Sequence, residues 1–425
     1  MTIEALYEIF LQFTSVETDT RKINKNDIFF ALKGPNFNGN TFAKTALEMG
    51  AAYCICDEET GYKNERIIYV EDVLSTLKQL AKYHREQFTI PFIAVTGSNG
   101  KTTTKELIHA VLCKKYKCYT TKGNLNNHIG IPLTILSVQK DAEIAVIEMG
   151  ANHQKEIEEY CTYTLPTHGI IGNCGKAHLE GFGGIEGVKK GKGELYDFIR
   201  NNDGTIFINT DYDYLVEMSK GITKQISYGV QNAKYTGEVL KDDHLLEVKI
   251  TNPNTIGEIK TQLAGNYNLP NVLSAVCIGK HFDVAENLIV EALQEYTPSN
   301  SRSQIMQHGN NTILLDAYNA NPSSMKVAIE NFAAMEGKNK MVILGGMMEL
   351  GTESLQEHQG IVDLLLQYQW DKIVLTGKDY LNLPQNILHF ITSDETAVWF
   401  KQAKIENAFI LVKGSRGMAM EKILG

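Results

Sequence analysis

No block of basic residues interrupts this 425-residue chain, whose formal net charge is −9. That argues against a broad surface for nucleic acid or for an anionic membrane. No apolar run approaches the roughly 20 residues that a bilayer-crossing helix needs. The opening stretch "MTIEALYEIFLQF" carries Glu4 and Glu8 and no positive n-region, so a secretory signal is not expected. Cysteines number seven and are scattered without a C-x-x-C pair. That usage reads as reduced thiols in a cytoplasmic protein and argues against a zinc site. Prolines number only nine, and neither a low-complexity stretch nor a solenoid-period repeat occurs. What remains is an ordinary globular composition, 43% hydrophobic and 21% charged, in a chain too long for a single core. Two or three domains follow.

Composition along the chain points to three. Residues 1–88 hold short strand-like runs, "DIFFAL" and "AAYCIC", around a helical segment at 40–50, and a helix is predicted at about 71–87. "TIPFIAVTG" then restarts as a buried strand after a proline. Residues 89–297 alternate apolar strands ("FIAVTG", "AEIAVIEMG", "HGIIGN", "GTIFIN") with helices, the pattern of a parallel α/β sheet. "TPSNSRS" at 297–303 reads as a polar joint. Residues 298–425 form a last α/β unit with strands in "TILLDA", "KMVILGG", "KIVLTG" and "FILVKG", each ending in Gly or Asp. In open parallel sheets, ligands sit at those carboxyl ends.

The sharpest local signal is "VTGSNGKTTTKE", residues 95–106. It reads as strand, glycine-rich turn and helix, but only two residues separate Gly97 from Gly100, where the common phosphate loop has four before its Gly-Lys pair. Backbone amides at the helix start can bind phosphate oxygens, with Gly97, Asn99 and Gly100 in the turn. Lys101 can reach the β- and γ-phosphates, and the Thr102 hydroxyl, followed by Thr103, is placed to ligate Mg²⁺. Gly-Lys-Thr at this position favours a phosphate site over a plain βα turn.

Three further segments are ambiguous one at a time. Glu148 ends a buried strand and could hold a metal or lie in solvent. His178 could be a ligand, a base or a surface histidine. Lys189, Lys190 and Lys192 open a helix that could be no more than a solvated basic face.

Taken in order, "TGSNGKTTTKE", "GNLNNHIGIPLT", "VIEMGANHQKEI", "NCGKAHLEGFGGIEGVKKGKGELY", "AGNYNLPNVLSA", "NSRSQ", "LLDAYNANPSSM" and "VKGSRGMAMEKIL" resemble the Mur ligase family over essentially the whole chain. Thr-Gly-x-x-Gly-Lys-Thr is that family's shortened phosphate loop. The resemblance implies a small α/β UDP-sugar-binding domain, a central parallel-sheet P-loop ATPase domain and a C-terminal Rossmann-like domain. It implies an ADP-forming amide ligase: ATP phosphorylates a peptide carboxylate, and an amine attacks the acyl phosphate. It further implies Lys101 on the phosphates, Thr102 and Glu148 on a first Mg²⁺, and His178 with a carbamylated Lys192 on a second. Asn266 and Asn271 match the adenine-side motif, Arg302 the linker arginine at ATP, and Asp316 the ribose-side acid. Thr20 and Arg21 match the uridine-binding segment, with Asn126 and Asn127 in a loop near the UDP-sugar.

"GNLNN", "EMGANH" and "AYNANPSSM" resemble the member that joins D-alanyl-D-alanine to UDP-N-acetylmuramoyl-tripeptide in cytoplasmic peptidoglycan precursor synthesis. A monomer without nucleic-acid partner or membrane insertion is expected. Two departures stand out: Asn38 and Asn40 where the family has Asp-Gly-His, an altered contact to the sugar nucleotide or, the favoured reading, drift in a turn, and Gly346 where it commonly has Asp. Two anionic groups, a carboxylate and a γ-phosphate, repel each other, and two Mg²⁺ ions with Lys101 would offset that repulsion. The rival readings are a folylpolyglutamate-type ligase accepting glutamate, a nucleotide-dependent switch without ligation, and an inactive paralogue.

Overall fold

The computed structural model describes residues 1–425 apart from 14, 243, 244, 299–301 and 382. The joint expected at 297–303 therefore lies partly outside the described residues.

The first sheet runs in the order Val16–Glu17, Ile28–Phe30, Tyr53–Cys56, Ile67–Tyr69, all parallel. Strand side chains alternate between faces. Ile28, Phe30 and Leu32 accordingly enter one apolar cluster, while Phe29 and Ala31 enter another with Ala43, Ala46 and Leu47 of the helix Ala43–Glu48. The helix predicted at 71–87 spans Val73–Arg85, started by Asp72, whose carboxylate accepts the Ser75 N–H at 2.6 Å.

Asn38 and Asn40 form a local network. The Asn40 amide donates to Asp57 Oδ1 at 2.8 Å and to Asn38 Oδ1 at 3.0 Å, and Asn38 Nδ2 donates to Glu58 Oε2 at 2.6 Å. The two asparagines thus tie this turn to Asp57 and Glu58 after the strand Tyr53–Cys56.

The helix Val73–Arg85 also makes the joint to the second sheet. Arg85 is buried; its guanidinium donates to the carbonyls of Thr164 and Leu165, both at 2.9 Å, and stacks 3.9 Å from the Phe92 ring. One residue earlier, buried His84 bridges the Tyr7 hydroxyl at 3.0 Å and the Val138 carbonyl at 2.8 Å. Leu77 and Leu80 share an apolar cluster with Ile131, Ile135 and Tyr160.

Among the described residues, the second sheet orders its strands Gly257–Lys260, Leu246–Asn252, Tyr235–Asp242, Lys224–Gly229, Thr205–Asn209, His168–Ile171, Phe92–Thr96, Ile144–Glu148, Cys118–Thr120. The six pairings from Cys118–Thr120 to Tyr235–Asp242 are parallel. The last two are antiparallel, which the reading of 89–297 as a purely parallel sheet did not foresee. That end alternates buried and exposed positions, as Leu246–Asn252 shows, the mark of a sheet with one solvated face. The first strand of this unit, Phe92–Thr96, lies between the later Ile144–Glu148 and His168–Ile171. Strand order reverses there, and the crevice beyond such a reversal is where α/β sheets bind ligands.

The third sheet runs Gln304–His308, Asn311–Asp316, Phe409–Lys413, Lys340–Gly345, Lys372–Thr376, Ile387–Phe390, parallel except for its first pair. Gly346 follows Lys340–Gly345; its carbonyl accepts the Ser415 hydroxyl at 2.8 Å, and a Cβ there would lie 3.4 Å from buried His358 Nε2. No helix is long and apolar enough to cross a membrane among the described residues.

Candidate active site

The crevice at the strand reversal is built from the phosphate-loop segment outward. Phe92–Thr96 is fully buried, with Phe92 and Ala94 in one apolar cluster and Ile93 and Val95 in the other. The chain then turns through Gly97 to Gly100, and the helix Lys101–Leu112 begins at the lysine itself. Gly100 caps that helix at φ +76°, a left-handed conformation that costs a residue with a Cβ, and a Cβ there would meet Asn271 at 3.0 Å. Asn99 is held from both sides. Its N–H donates to Asn173 Oδ1 and its carbonyl accepts from Asn173 Nδ2, both at 3.0 Å, while its side-chain oxygen accepts from Asn321 Nδ2 at 2.7 Å.

Lys101 is half-buried. Its ammonium donates to the carbonyls of Gly97 (2.7 Å) and Ser98 (3.2 Å), so it lies folded over the loop. Burial lowers its pKa; Glu148 opposes that and Arg302 adds to it. The Thr102 hydroxyl donates to Glu148 Oε1 at 3.0 Å, and Asn126 Nδ2 donates to the same oxygen at 2.7 Å. Glu148 is only 1% exposed, and its other oxygen, Oε2, is buried without a hydrogen-bond partner. A buried carboxylate oxygen left bare is costly unless a cation or donor completes it. Residue for residue this is a hard-oxygen set of the kind Mg²⁺ takes.

Lys192 lies mid-helix in Ile185–Asn201 and is 1% exposed. Its ammonium has a single neutral oxygen, the Ala151 carbonyl at 3.2 Å, and the Phe182 ring at 5.0 Å. Burial first, and Lys101 second, push its pKa down to about 7. Lys189, on the same helix, pairs with Glu186 at 2.7 Å, and Lys190 is exposed; these two are the solvated basic face, and Lys192 is not part of it. His178 takes the left-handed conformation at φ +52°, strain that tends to mark functional positions. Its Nδ1 stands 2.5 Å from Glu349 Oε2 without hydrogen-bond geometry. That proximity holds the Glu349 carboxyl below its usual range.

The third unit closes the far wall. Asp316 is anchored by the buried Lys413 ammonium at 2.6 Å and by the Ser303 N–H at 3.2 Å. The Arg302 guanidinium stacks 3.5 Å from the Tyr318 ring. Lys176 reaches across to Glu357 at 2.6 Å.

One cavity of about 1010 Å³ is lined by Asn99, Gly100, Lys101, Thr102, Thr103, Asn126, Asn127, Glu148, His178, Asn271, Arg302 and Asp316, which brings most of the sequence-derived site together. Gly97 and Lys192 do not line it. Asn271 accepts the Thr104 hydroxyl at 2.9 Å and donates to Asn268 at 2.8 Å, whereas Asn266 is exposed and does not line the cavity. Thr20 and Arg21 do not line it either; Arg21 is 87% exposed and pairs with Asp19 at 2.8 Å. Sequence reasoning missed Asn173, Asn268, Asn321, Glu349 and Lys413. Lys413 was legible as the strand-end cation of "FILVKG", and Asn268 as a neighbour of Asn271 in "GNYNLPN"; Asn173, Asn321 and Glu349 act through contacts distant in sequence.

A shortened phosphate loop at a strand reversal, facing a buried carboxylate and a metal-type ligand set, defines a nucleotide-binding α/β protein of the phosphate-loop class. Models of the Mur ligase middle domain, of the Mur ligase glutamate ligase domain, and of the Mur ligase family catalytic domain match residues 95–279, 301–416 and 12–85. The chain belongs to the Mur ligase family. It is 33% identical to the UDP-N-acetylmuramoyl-tripeptide–D-alanyl-D-alanine ligase of Bacillus subtilis (strain 168), over 96% of this chain and 92% of the relative. It is 32% identical to that of Escherichia coli (strain K12), with the same coverage. The crystal structure of MurF from Acinetobacter baumannii superposes at TM-score 0.87 and 30% identity, covering 97% of this chain and 92% of that one. MurF from Thermotoga maritima in complex with ADP superposes at 0.83, 26% identical and 97% covered on both sides.

Proposed function

We propose that this chain joins D-alanyl-D-alanine to UDP-N-acetylmuramoyl-tripeptide with ATP, releasing ADP and phosphate, in peptidoglycan precursor synthesis. The observation that carries the reading is Glu148: buried, fixed on one oxygen by Thr102 and Asn126, bare on the other, and facing the phosphate loop in one cavity with Lys101, Arg302 and Asp316. Likeness over nearly the whole chain to ligases of this activity supports the substrates.

The loop amides and Lys101 bind the triphosphate, Asn271 lies on the adenine side, and Asp316 accepts from the ribose. The tripeptide carboxylate attacks the γ-phosphorus, giving an acyl phosphate and ADP. The dipeptide amine then attacks the acyl carbon, the amide bond forms, and phosphate leaves. Thr102 and Glu148 would hold one Mg²⁺, and His178 with carbamylated Lys192 a second. Bound Mg²⁺ supplies positive charge where carboxylate and γ-phosphate meet. An acyl phosphate hydrolyses in water, so the third unit, meeting the loop through Asn321 and Asn99, must exclude it during the reaction. The units 1–88, 89–297 and 298–425 then serve the UDP-sugar, ATP and closure.

Phosphate release measured with UDP-muramoyl-tripeptide, with and without amine, tests the reading. Release should be strong with D-Ala-D-Ala and at least about tenfold weaker with L-Ala, D-Glu or L-Glu, since a site built for two residues loses more than 1.4 kcal/mol when one is missing. Free glutamate as the best amine would favour a folylpolyglutamate-type ligase. ATP turnover indifferent to every peptide acceptor would favour a nucleotide switch.

A further inference from the structure

At the end of the phosphate-loop helix opposite its loop, three donors of another chemistry converge. His109 and Cys113 stand one turn apart, on the helix Lys101–Leu112 and at its cap, and Cys118 opens the edge strand Cys118–Thr120. His109 Nε2, Cys113 Sγ and Cys118 Sγ all lie within 4.8 Å of one another. Cys113 Sγ is 3.3 Å from His109 Nε2. Tetrahedral zinc, with Zn–S of about 2.3 Å and Zn–N of about 2.0–2.1 Å, needs S···N edges of roughly 3.5 Å and S···S edges of roughly 3.8 Å. The first edge is therefore in place, and from the 4.8 Å bound the others require at most about 1.0 Å (Cys113 to Cys118) and about 1.3 Å (His109 to Cys118) of closure.

The loop carrying the ligands is pinned. The Lys117 N–H donates to Glu143 Oε2 at 2.7 Å, the Glu143 N–H donates to the Lys117 carbonyl at 3.0 Å, and the Tyr116 hydroxyl donates to the Phe282 carbonyl at 2.7 Å. Cys113 is exposed, and His109 and Cys118 are half-buried, so a cation can enter from solvent. None of the three residues lines the large cavity.

We propose that His109, Cys113 and Cys118 form a metal site for a thiophilic divalent cation of the zinc class, with its fourth position open to water. Its sulfur and imidazole donors separate it from the oxygen-rich magnesium set around Glu148. The site escapes a search for paired cysteines because its ligands are spaced H-x₃-C-x₄-C, with a helix supplying the first two. Occupancy ties the last turn of the phosphate-loop helix to the strand that leads to Thr121, whose hydroxyl accepts the Glu148 N–H at 2.9 Å.

The test is a Co²⁺ titration of the reduced full-length protein, followed by visible and near-ultraviolet absorption. A thiolate-to-cobalt charge-transfer band should saturate at one equivalent and be abolished by equimolar Zn²⁺. It should vanish in Cys113→Ser and in Cys118→Ser, each with wild-type circular dichroism. His109→Asn should keep a charge-transfer band but need more than tenfold higher Co²⁺ to reach it. No band in the wild type, a band that persists in Cys113→Ser, or closure to a Cys113–Cys118 disulfide under reducing conditions in place of binding would overturn the proposal.

Discussion

Lys101→Ala should lower kcat/KM by about 10³-fold or more, on the order of 4 kcal/mol of transition-state stabilisation, as removal of a preorganised charge-stabilising donor does. The sequence alone suggests a solvated loop lysine whose loss leaves the fold untouched. The structure changes the reason. The ammonium sits on the Gly97 and Ser98 carbonyls, at the first position of the helix Lys101–Leu112. Those carbonyls can be satisfied by water in the alanine variant because the side chain is only half-buried, so a loss of stability near 1 kcal/mol is expected. Circular dichroism with thermal melting, beside an ADP-release assay, separates the two effects. Activity near wild type would remove the phosphate loop from the reaction.

Lys192→Ala should be inactive and partly restored by millimolar acetate or formate, while Lys189→Ala should retain near-wild-type activity with no response to either. A cation at a second metal position would repel the metal, and carbamylation by CO₂ turns that cation into a carboxylate. The reaction consumes the neutral amine, and a lysine whose pKa is pushed down to about 7 supplies it near neutral pH. Activity should therefore become more dependent on added bicarbonate as pH falls below about 7, where the ammonium dominates.

The same shift bears on stability in CO₂-depleted buffer. Between about 7 and the ordinary lysine range, the unfolded chain binds the proton and the folded chain does not, so stability rises with pH through that window. Lys192→Met, which removes the buried charge at similar volume, should melt higher than wild type, by on the order of 2 kcal/mol at pH 6.5. A variant that is more stable and inactive would mark Lys192 as kept for function at a cost to the fold. Equal melting, with no acetate rescue in Lys192→Ala, would leave the lysine a plain ammonium.

What could be read beforehand was what is local in the chain. The strand, turn and helix of "FIAVTGSNGKT" follow from four apolar residues, two glycines and a helical spacing, and they appear as Phe92–Thr96 and Lys101–Leu112. Glu148 was visible as a strand-end acid, but its bare Oε2 depends on Thr102 and Asn126, each more than twenty residues away. Lys192 looked like part of a basic face because Lys189 and Lys190 flank it. Its burial is decided by Phe182 and Ala151, which approach only in the fold. The antiparallel strands at 235–260 carry an alternating pattern that the long βα rhythm before them masked. His178 meets Glu349 across 171 positions, a distance at which periodicity says nothing.

The joint made by Arg85 has a consequence for traffic through the enzyme. Swinging the first unit away from the second would strand a guanidinium that now satisfies two carbonyls and would bare the leucines beside it. Across the cavity, the second and third units meet through polar pairs as well, Asn99 with Asn321, Lys176 with Glu357 and His178 with Glu349, beside an apolar contact in which Leu179 and Phe182 share a cluster with Met347 and Leu350. On the proposed function, the third unit, joined to the second more through polar pairs, is the one that would move, with the first two as one body. Loading and discharge would then share one door, and a UDP-sugar held by the first unit could stay bound while nucleotide is exchanged.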